Sequence, residues 1–343
     1  MKTQLLGQSG LRVSELCLGA MTFGEDWQWG ADRDVSRQIF DKFAQAGGNF
    51  LDTANAYTNG TSETIVGELI SSDRDAWVVA TKYSMPDTMS MTGELSQPTA
   101  KVGNSRKNMM RSVEGSLKRL NTDHIDVLYL HIWDYTTHPE EVMRALDDLV
   151  RAGKVLYAGI SDTPAWIVSR AQTLAQLRGW TPFSVLQIEY SLAERTVERD
   201  LVPMAQALGL SIAPWSPLAG GVLSGKYSSG DKSNRGMDIP PKSLEIAQKL
   251  GEVAQEIGCS PSQLALKWLV DKNTIPILGA RKIEQFEDNL KCLDVQIAPE
   301  QMAKLDEISA VERGFPHDFI EGDFVQPLLL SGKTELLDGG LRG

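Results

Sequence analysis

The chain has 343 residues, 42% of them apolar and 23% charged, which suits a compact fold with a large core and not a disordered or fibrous one. A formal net charge of −11 with no basic cluster argues against a nucleic-acid surface, which needs Lys and Arg to neutralise phosphates; anionic membranes would repel the chain as well. The three cysteines, Cys17, Cys259 and Cys292, lie far apart without CxxC spacing, so neither a disulfide framework nor a metal site is expected and a reducing cytoplasm fits best.

No basic-then-apolar leader opens the sequence and no run of about 18 apolar residues occurs, so a cytoplasmic protein without a membrane span is expected. From residue 14 onward, short apolar runs alternate with longer stretches of helical period, the signature of repeated βαβ units. The expected strands are "LCLGA" at 16–20, "NFLDT" at 49–53, "AWVVATK" at 76–82, "IDVLYLH" at 125–131, "VLYAGIS" at 155–161, "SVLQIEY" at 184–190, "LSIAPWS" at 210–216 and "NTIPILGA" at 273–280. Eight such strands close a barrel, so the expected fold is an α/β single-domain (β/α)₈ TIM barrel over residues 1–343.

Between the strands, Asn104 or Ser105 opens a helix with Met109, Val113, Leu117 and Leu120 on one face, and Pro139 and Gly153 bracket another. A long Gly-, Ser- and Pro-rich connection follows the seventh strand, and helical period resumes near Lys242. Residues 310–343 lack a clear period and read as an extended tail packed near the substrate pocket, burying Phe315, Phe319 and Phe324.

In a barrel the C-terminal strand ends converge on one mouth. Asp52 ends the second strand, Tyr57 lies in the turn-rich "NAYTNG" that follows, Lys82 ends the third strand and His131 the fourth. Each alone has a plain structural explanation, but together they make a proton donor. Tyr has an ordinary pKa of about 10, and a neighbouring Lys82 ammonium is expected to lower it. Asp52 supplies the counter-charge that a buried ammonium needs, and His131 orients a carbonyl or bonds the phenol. Trp27, Trp29, Tyr83 and Trp133 follow strand ends and suggest an apolar pocket wall, with the choice between Trp27 and Trp29 open.

The segments "FLDTANAYTNGTSE", "ATK", "IDVLYLH", "LVRAGKVLYAGISD", "LQIEYSL", "PWSPLAGGVLSGKY" and "LGARKIEQFEDNL", in that order across essentially the whole chain, resemble the aldo-keto reductases, in particular a bacterial aryl-alcohol-dehydrogenase-like branch. The resemblance implies NADPH-dependent carbonyl reduction, reversible toward the alcohol, with Tyr57, Lys82, Asp52 and His131 as the catalytic tetrad. It also implies a cofactor site. Gly19, Ala20 and Met21 follow the first strand; Ser161, Asp162 and Gln187 would hold the nicotinamide carboxamide, and Trp215 would stack on its ring. Asp162 departs from the Asn common in relatives, because a carboxylate cannot donate to the amide oxygen.

Backbone groups of Ser216, Leu218 and Gly220, with Lys226, would meet the pyrophosphate. Gly279 and Arg281 precede a helix start where a 2′-phosphate would sit, with Gln285, Asp288 and Asn289 further along. Arg281 offers the planar donor fork suited to that phosphate. No GxGxxG follows a strand, which disfavours a two-domain dinucleotide enzyme. Two other readings remain: a cofactor-binding regulatory subunit resembling potassium-channel β-subunits, and a barrel isomerase or lyase using Lys82 as a Schiff-base amine, which would leave Trp215 and the Arg281 segment without a role.

Overall fold

The computed structural model describes residues 1–88, 98–227, 238–329 and 331–333. A short antiparallel hairpin, β1 (Thr3–Leu5) and β2 (Arg12–Ser14), opens the chain, with Gln4 opposite Val13. Eight parallel strands follow: β3 (Cys17–Gly19), β4 (Phe50–Asp52), β5 (Val78–Tyr83), β6 (Ile125–Leu130), β7 (Val155–Ser161), β8 (Phe183–Glu189), β9 (Ser211–Trp215) and β10 (Ile277–Leu278). They pair in the order β10-β3-β4-β5-β6-β7-β8-β9. The Ile275 amide, just before β10, donates to the Ile212 carbonyl of β9 at 2.8 Å and nearly closes the ring. All eight expected strands are present, and the fold is the expected (β/α)₈ barrel.

Helices α1 (Arg33–Gln45), α2 (Thr61–Ile70), α3 (Arg106–Leu120), α4 (Pro139–Arg151), α5 (Ala165–Arg178), α6 (Leu201–Ala207), α7 (Pro241–Ile257), α8 (Pro261–Asp271), α9 (Ile283–Leu290) and α10 (Pro299–Ile308) surround the strands. Their ends follow local chemistry. Asp32 caps α1 by accepting from the Val35 amide at 2.8 Å, and Ser105 caps α3. Pro139 sits in the first turn of α4, and Gly153, left-handed at φ 71°, follows its end. Ser260 and Gln263 form a capping box on α8.

Strand alternation divides the core in two. Phe50, Val78, Ala80, Val127, Tyr129, Val185, Ala213 and Ile277 fill the barrel interior, floored by Leu6 and Val13 from the hairpin. Leu51, Val79, Leu128, Leu130, Ile160 and Leu186 face outward and pack against the helices.

The C-terminal tail differs from expectation. It contains two short helices, α11 (His317–Glu321) and α12 (Val325–Leu329), and Phe315, Phe319 and Phe324 are 85%, 59% and 77% exposed instead of buried. Polar contacts tie down its start, where Arg199 donates to the Glu312 carbonyl and Lys242 to that of Ala310. Among the described residues the Phe315 ring meets Phe319, at 6.2 Å between centroids. Residues 228–237 of the long connection and 334–343 of the tail lie outside the described residues.

Candidate active site

Counting by twos along each strand places the site. On β4 Phe50 points inward, so Asp52 does; on β5 Val78 and Ala80 point inward, so Lys82 does; on β6 Val127 and Tyr129 lead to His131. The same parity brings Ser161 on β7, Gln187 on β8 and Trp215 on β9 to the inner side, with Ser161 paired to Gln187 in register and Gln187 to Ala213. Six polar or aromatic side chains therefore meet in one layer at the barrel mouth.

At its centre the Lys82 ammonium, fully buried, donates to Asp52 Oδ2 at 2.6 Å, to the Thr53 carbonyl at 2.9 Å and to the Tyr57 hydroxyl at 3.0 Å. Burial works against the ammonium, yet Asp52 and the Tyr57 oxygen hold Lys82 above the ordinary lysine range. Tyr57 shows the opposite of what the sequence suggests: burial pushes its phenol above the ordinary value, and the Lys82 charge, acting downward, does not overcome it. The resting group is a neutral phenol. Gln187 Nε2 donates to the other Asp52 oxygen at 2.8 Å, so this amide braces the ion pair.

Tyr57 owes its position to an unusual turn. Thr58, Asn59 and Gly60 are all left-handed, at φ 45°, 56° and 93°. The buried Thr58 hydroxyl donates to the Phe23 carbonyl at 2.7 Å and accepts from the Ser62 amide at 2.9 Å, which fastens the turn to the loop carrying Trp27 and to the start of α2. His131 meets Tyr57 edge to face, with ring centroids 5.9 Å apart. Burial first, and the Lys82 charge second, push its imidazole well below the ordinary histidine range, so it is neutral. Its Nδ1 is buried with no hydrogen-bond partner among the described residues.

The proposed pocket wall divides. Trp27 is buried, packs edge-on to Tyr57 at 6.5 Å and touches Trp29 at 5.6 Å, so Trp27 is the nearer of the two. Trp133 is buried, and its amide donates to the Asp162 carbonyl at 3.3 Å. Tyr83 does not belong to the wall. It follows Lys82 directly and so faces outward, fully buried against the helices, with its hydroxyl donating to the Asn104 carbonyl at 3.4 Å.

Opposite the tetrad, Trp215 Nε1 donates to Asp162 Oδ1 at 3.0 Å. Burial pushes the Asp162 carboxyl above the ordinary carboxylate range, against the Trp215 N–H and the Lys82 charge. Past Trp215 the backbone turns tightly: Ser216, Ala219, Gly220 and Gly221 have φ of 52°, 49°, 64° and 94°. Within the turn the Ala219 amide donates to the Ser216 carbonyl at 2.8 Å and the Gly221 amide to the Leu218 carbonyl at 2.9 Å, and Gly220 and Gly221 tolerate the left-handed backbone without strain.

Lys226 is exposed. On the first strand's exit, the Ala20 amide donates to the Asp52 carbonyl at 2.8 Å, with Gly19 buried and Met21 half-buried beside it. Gly279 and Arg281 are exposed just before α9, whose first turn has no side-chain cap, and Arg281 makes no ion pair or hydrogen bond among the described residues. Gln285 is half-buried and Asn289 buried. Asp288 is committed elsewhere: both oxygens accept from α8, one from Ser260 at 2.8 Å and one from Gln263 at 2.6 Å. A tight glycine-bearing turn that admits close approach, a free guanidinium at a helix start and an orphaned imidazole nitrogen on the ring that meets Tyr57 together fit a phosphate-bearing cofactor and a carbonyl substrate.

A parallel barrel with a Lys–Asp–Tyr cluster at its mouth is built to exchange a proton with an oxygen bound there. The chain belongs to the aldo/keto reductase family, whose model matches residues 15–310. It is 40% identical over 335 residues to the aryl-alcohol dehydrogenase [NADP(+)] of Phanerodontia chrysosporium, covering 92% of this chain and 87% of that one. It is 39% identical over 326 residues to the norsolorinic acid reductase of Aspergillus flavus, covering 92% and 83%, and 38% identical over 329 residues to an aryl-alcohol dehydrogenase of Pestalotiopsis microspora, covering 92% and 84%. These relatives are fungal.

Proposed function

We propose that the protein reduces aryl aldehydes or ketones with NADPH, and oxidises the matching alcohols in reverse, with Tyr57 as the proton donor. The chain is an aldo-keto reductase and an enzyme. The observation that carries the assignment of roles is the Lys82 ammonium bonded at once to Asp52 and to the Tyr57 hydroxyl. When bound, NADPH supplies the hydride.

The residues account for the rest. A half-buried phenol with a raised pKa keeps its proton until a carbonyl oxygen draws it away, and the phenolate left behind lies 3.0 Å from an ammonium that stabilises it at that moment. Asp52 keeps that ammonium charged in a buried site. Neutral His131 can hydrogen-bond the substrate oxygen without adding a second positive charge beside Lys82. Arg281 and the exposed start of α9 would hold the 2′-phosphate, backbone groups of Ser216, Leu218 and Gly220 with Lys226 the pyrophosphate, and Gln285 and Asn289 the adenosine end. Trp215 would stack on the nicotinamide, with Ser161 and Asp162 at its carboxamide and Gly19, Ala20 and Met21 along the strand exit.

Trp27, Trp29 and Trp133 form the apolar wall, which favours a flat aromatic substrate over a small aliphatic one. Placement on the aryl-alcohol-dehydrogenase-like branch has support from the named relatives, whereas a bacterial placement rests on the motifs alone. Among the described residues no helix is long and apolar enough to cross a membrane. A cytoplasmic location and a tail that works with the barrel as one unit complete the proposal. A panel of aryl and aliphatic aldehydes and alcohols, followed at the nicotinamide absorbance with NADPH and NADH, tests it: aryl aldehydes with NADPH should turn over fastest, and no turnover of any carbonyl would reject it.

A further inference from the structure

We propose that Asp162 tunes the redox preference of the cofactor site: its carboxylate, held by Trp215 and lacking a cationic partner, favours the oxidised, positively charged nicotinamide over the reduced one. The inference rests on the reading that a nicotinamide cofactor occupies the barrel mouth.

Asp162 directly follows Ser161, the inward-facing end of β7, and its Oδ1 accepts from Trp215 Nε1 at 3.0 Å on the inward-facing end of β9. The two residues therefore bridge the part of the mouth that faces the Tyr57 cluster. The charges around them are unequal. Lys82 is already neutralised by Asp52 at 2.6 Å, whereas among the described residues no Lys, Arg or His forms an ion pair with Asp162. An indole N–H fixes the direction of the carboxylate but does not cancel its charge. The Tyr57 phenol and the His131 imidazole, which face the same space, are neutral. Asp162 thus adds to the mouth a half-buried carboxylate with no ion-pair partner among the described residues, where a fixed charge acts more strongly than in water.

NADP⁺ and NADPH carry the same phosphates, so Arg281 and the turn after β9 treat them nearly alike. They differ by one positive charge on the nicotinamide ring, and Asp162 interacts with that difference alone. A neutral amide at this position would hold the cofactor equally well in both states. The carboxylate instead draws the enzyme-bound equilibrium toward oxidised cofactor and alcohol, and it slows NADP⁺ release.

The backbone makes the test clean. Asp162 sits at φ 38°, left-handed, a conformation that Asp and Asn both tolerate, so Asp162→Asn keeps shape and turn while removing the charge. Asp162→Ser removes the charge with no new amide and guards against an effect specific to Asn. Binding of NADP⁺ and of NADPH to the native protein and both variants is titrated by tryptophan fluorescence at about pH 8, on the alkaline side because burial pushes the Asp162 carboxyl up.

The ratio Kd(NADPH)/Kd(NADP⁺) should fall about tenfold in both variants, mainly through weaker NADP⁺ binding. That factor equals about 1.4 kcal/mol, or an upward shift of about 30 mV in the potential of the bound two-electron couple. An unchanged ratio, or an equal loss of affinity for both cofactors, would overturn the proposal and leave the parent reading intact. Native protein that binds neither cofactor would reject the parent reading and this one with it.

Discussion

Asp52→Asn removes the charge that keeps Lys82 ionised while preserving the shape of the side chain, so its effect can be worked from the bonds around the ammonium. Lys82 would retain the Thr53 carbonyl at 2.9 Å and the Tyr57 hydroxyl at 3.0 Å but lose the only anion bonded to it among the described residues, at 2.6 Å, in a fully buried setting. Breaking a buried pair in this way costs about 3–5 kcal/mol, a large share of the roughly 5–15 kcal/mol by which domains are stable. With an m value of about 3 kcal/mol/M the urea midpoint should fall by about 1–1.7 M. Lys82 then tends to neutrality, the departing phenol proton leaves an unsupported phenolate, and turnover should fall about 10²–10⁴-fold. The double variant Asp52→Leu, Lys82→Met removes both charges: it should regain most of the lost stability and remain inactive. Circular dichroism during urea unfolding and NADPH consumption with a good aryl aldehyde read the two effects separately. An Asp52→Asn protein with native midpoint and native turnover would refute the reasoning.

Arg281→Ala should weaken NADPH by roughly 10–100-fold, the loss of a charge-assisted hydrogen bond, while NADH affinity barely changes; titration of both cofactors by fluorescence checks it, and equal losses would remove Arg281 from 2′-phosphate recognition. For His131 the native pKa is depressed, so between that value and the unfolded value of about 6.5 the unfolded chain binds a proton that the native state does not. Stability from this residue is therefore complete above about pH 6.5 and declines as the pH falls, by at most about 1.4 kcal/mol per pH unit. Urea midpoints at decreasing pH for native protein and His131→Asn should converge; parallel curves would contradict the neutral assignment.

Much of the fold is legible because parallel barrel strands are buried on both faces and read as short apolar runs, and because the breaks between them carry Gly, Pro, Asn and Ser. The tetrad is legible for the same reason, since Asp52, Lys82 and His131 are polar residues interrupting or ending such runs. What escaped depends on contacts distant in sequence or on burial. The β1–β2 hairpin consists of two three-residue strands whose role as a floor is apparent only once Leu6 and Val13 meet the barrel interior. Tyr83 looked like pocket wall by adjacency to Lys82, but neighbouring strand residues face opposite sides. The direction of the Tyr57 shift depends on how far burial outweighs one nearby ammonium, which composition and spacing do not reveal. The bond between Trp215 and Asp162 spans 53 positions and ties the Asp162 departure, isolated in the sequence, to a neighbour. The tail phenylalanines look in need of cover by composition, yet the structure leaves them in solvent.

The most direct measurement of the central claim is Tyr57→Phe, which deletes one oxygen and keeps the ring. Lys82 retains Asp52 and Thr53, so the fold should hold, and NADPH affinity, measured by fluorescence titration, should stay near native. Steady-state reduction of the best aryl aldehyde should fall about 10²–10⁴-fold. Near-native turnover with native cofactor affinity would contradict Tyr57 as the proton donor.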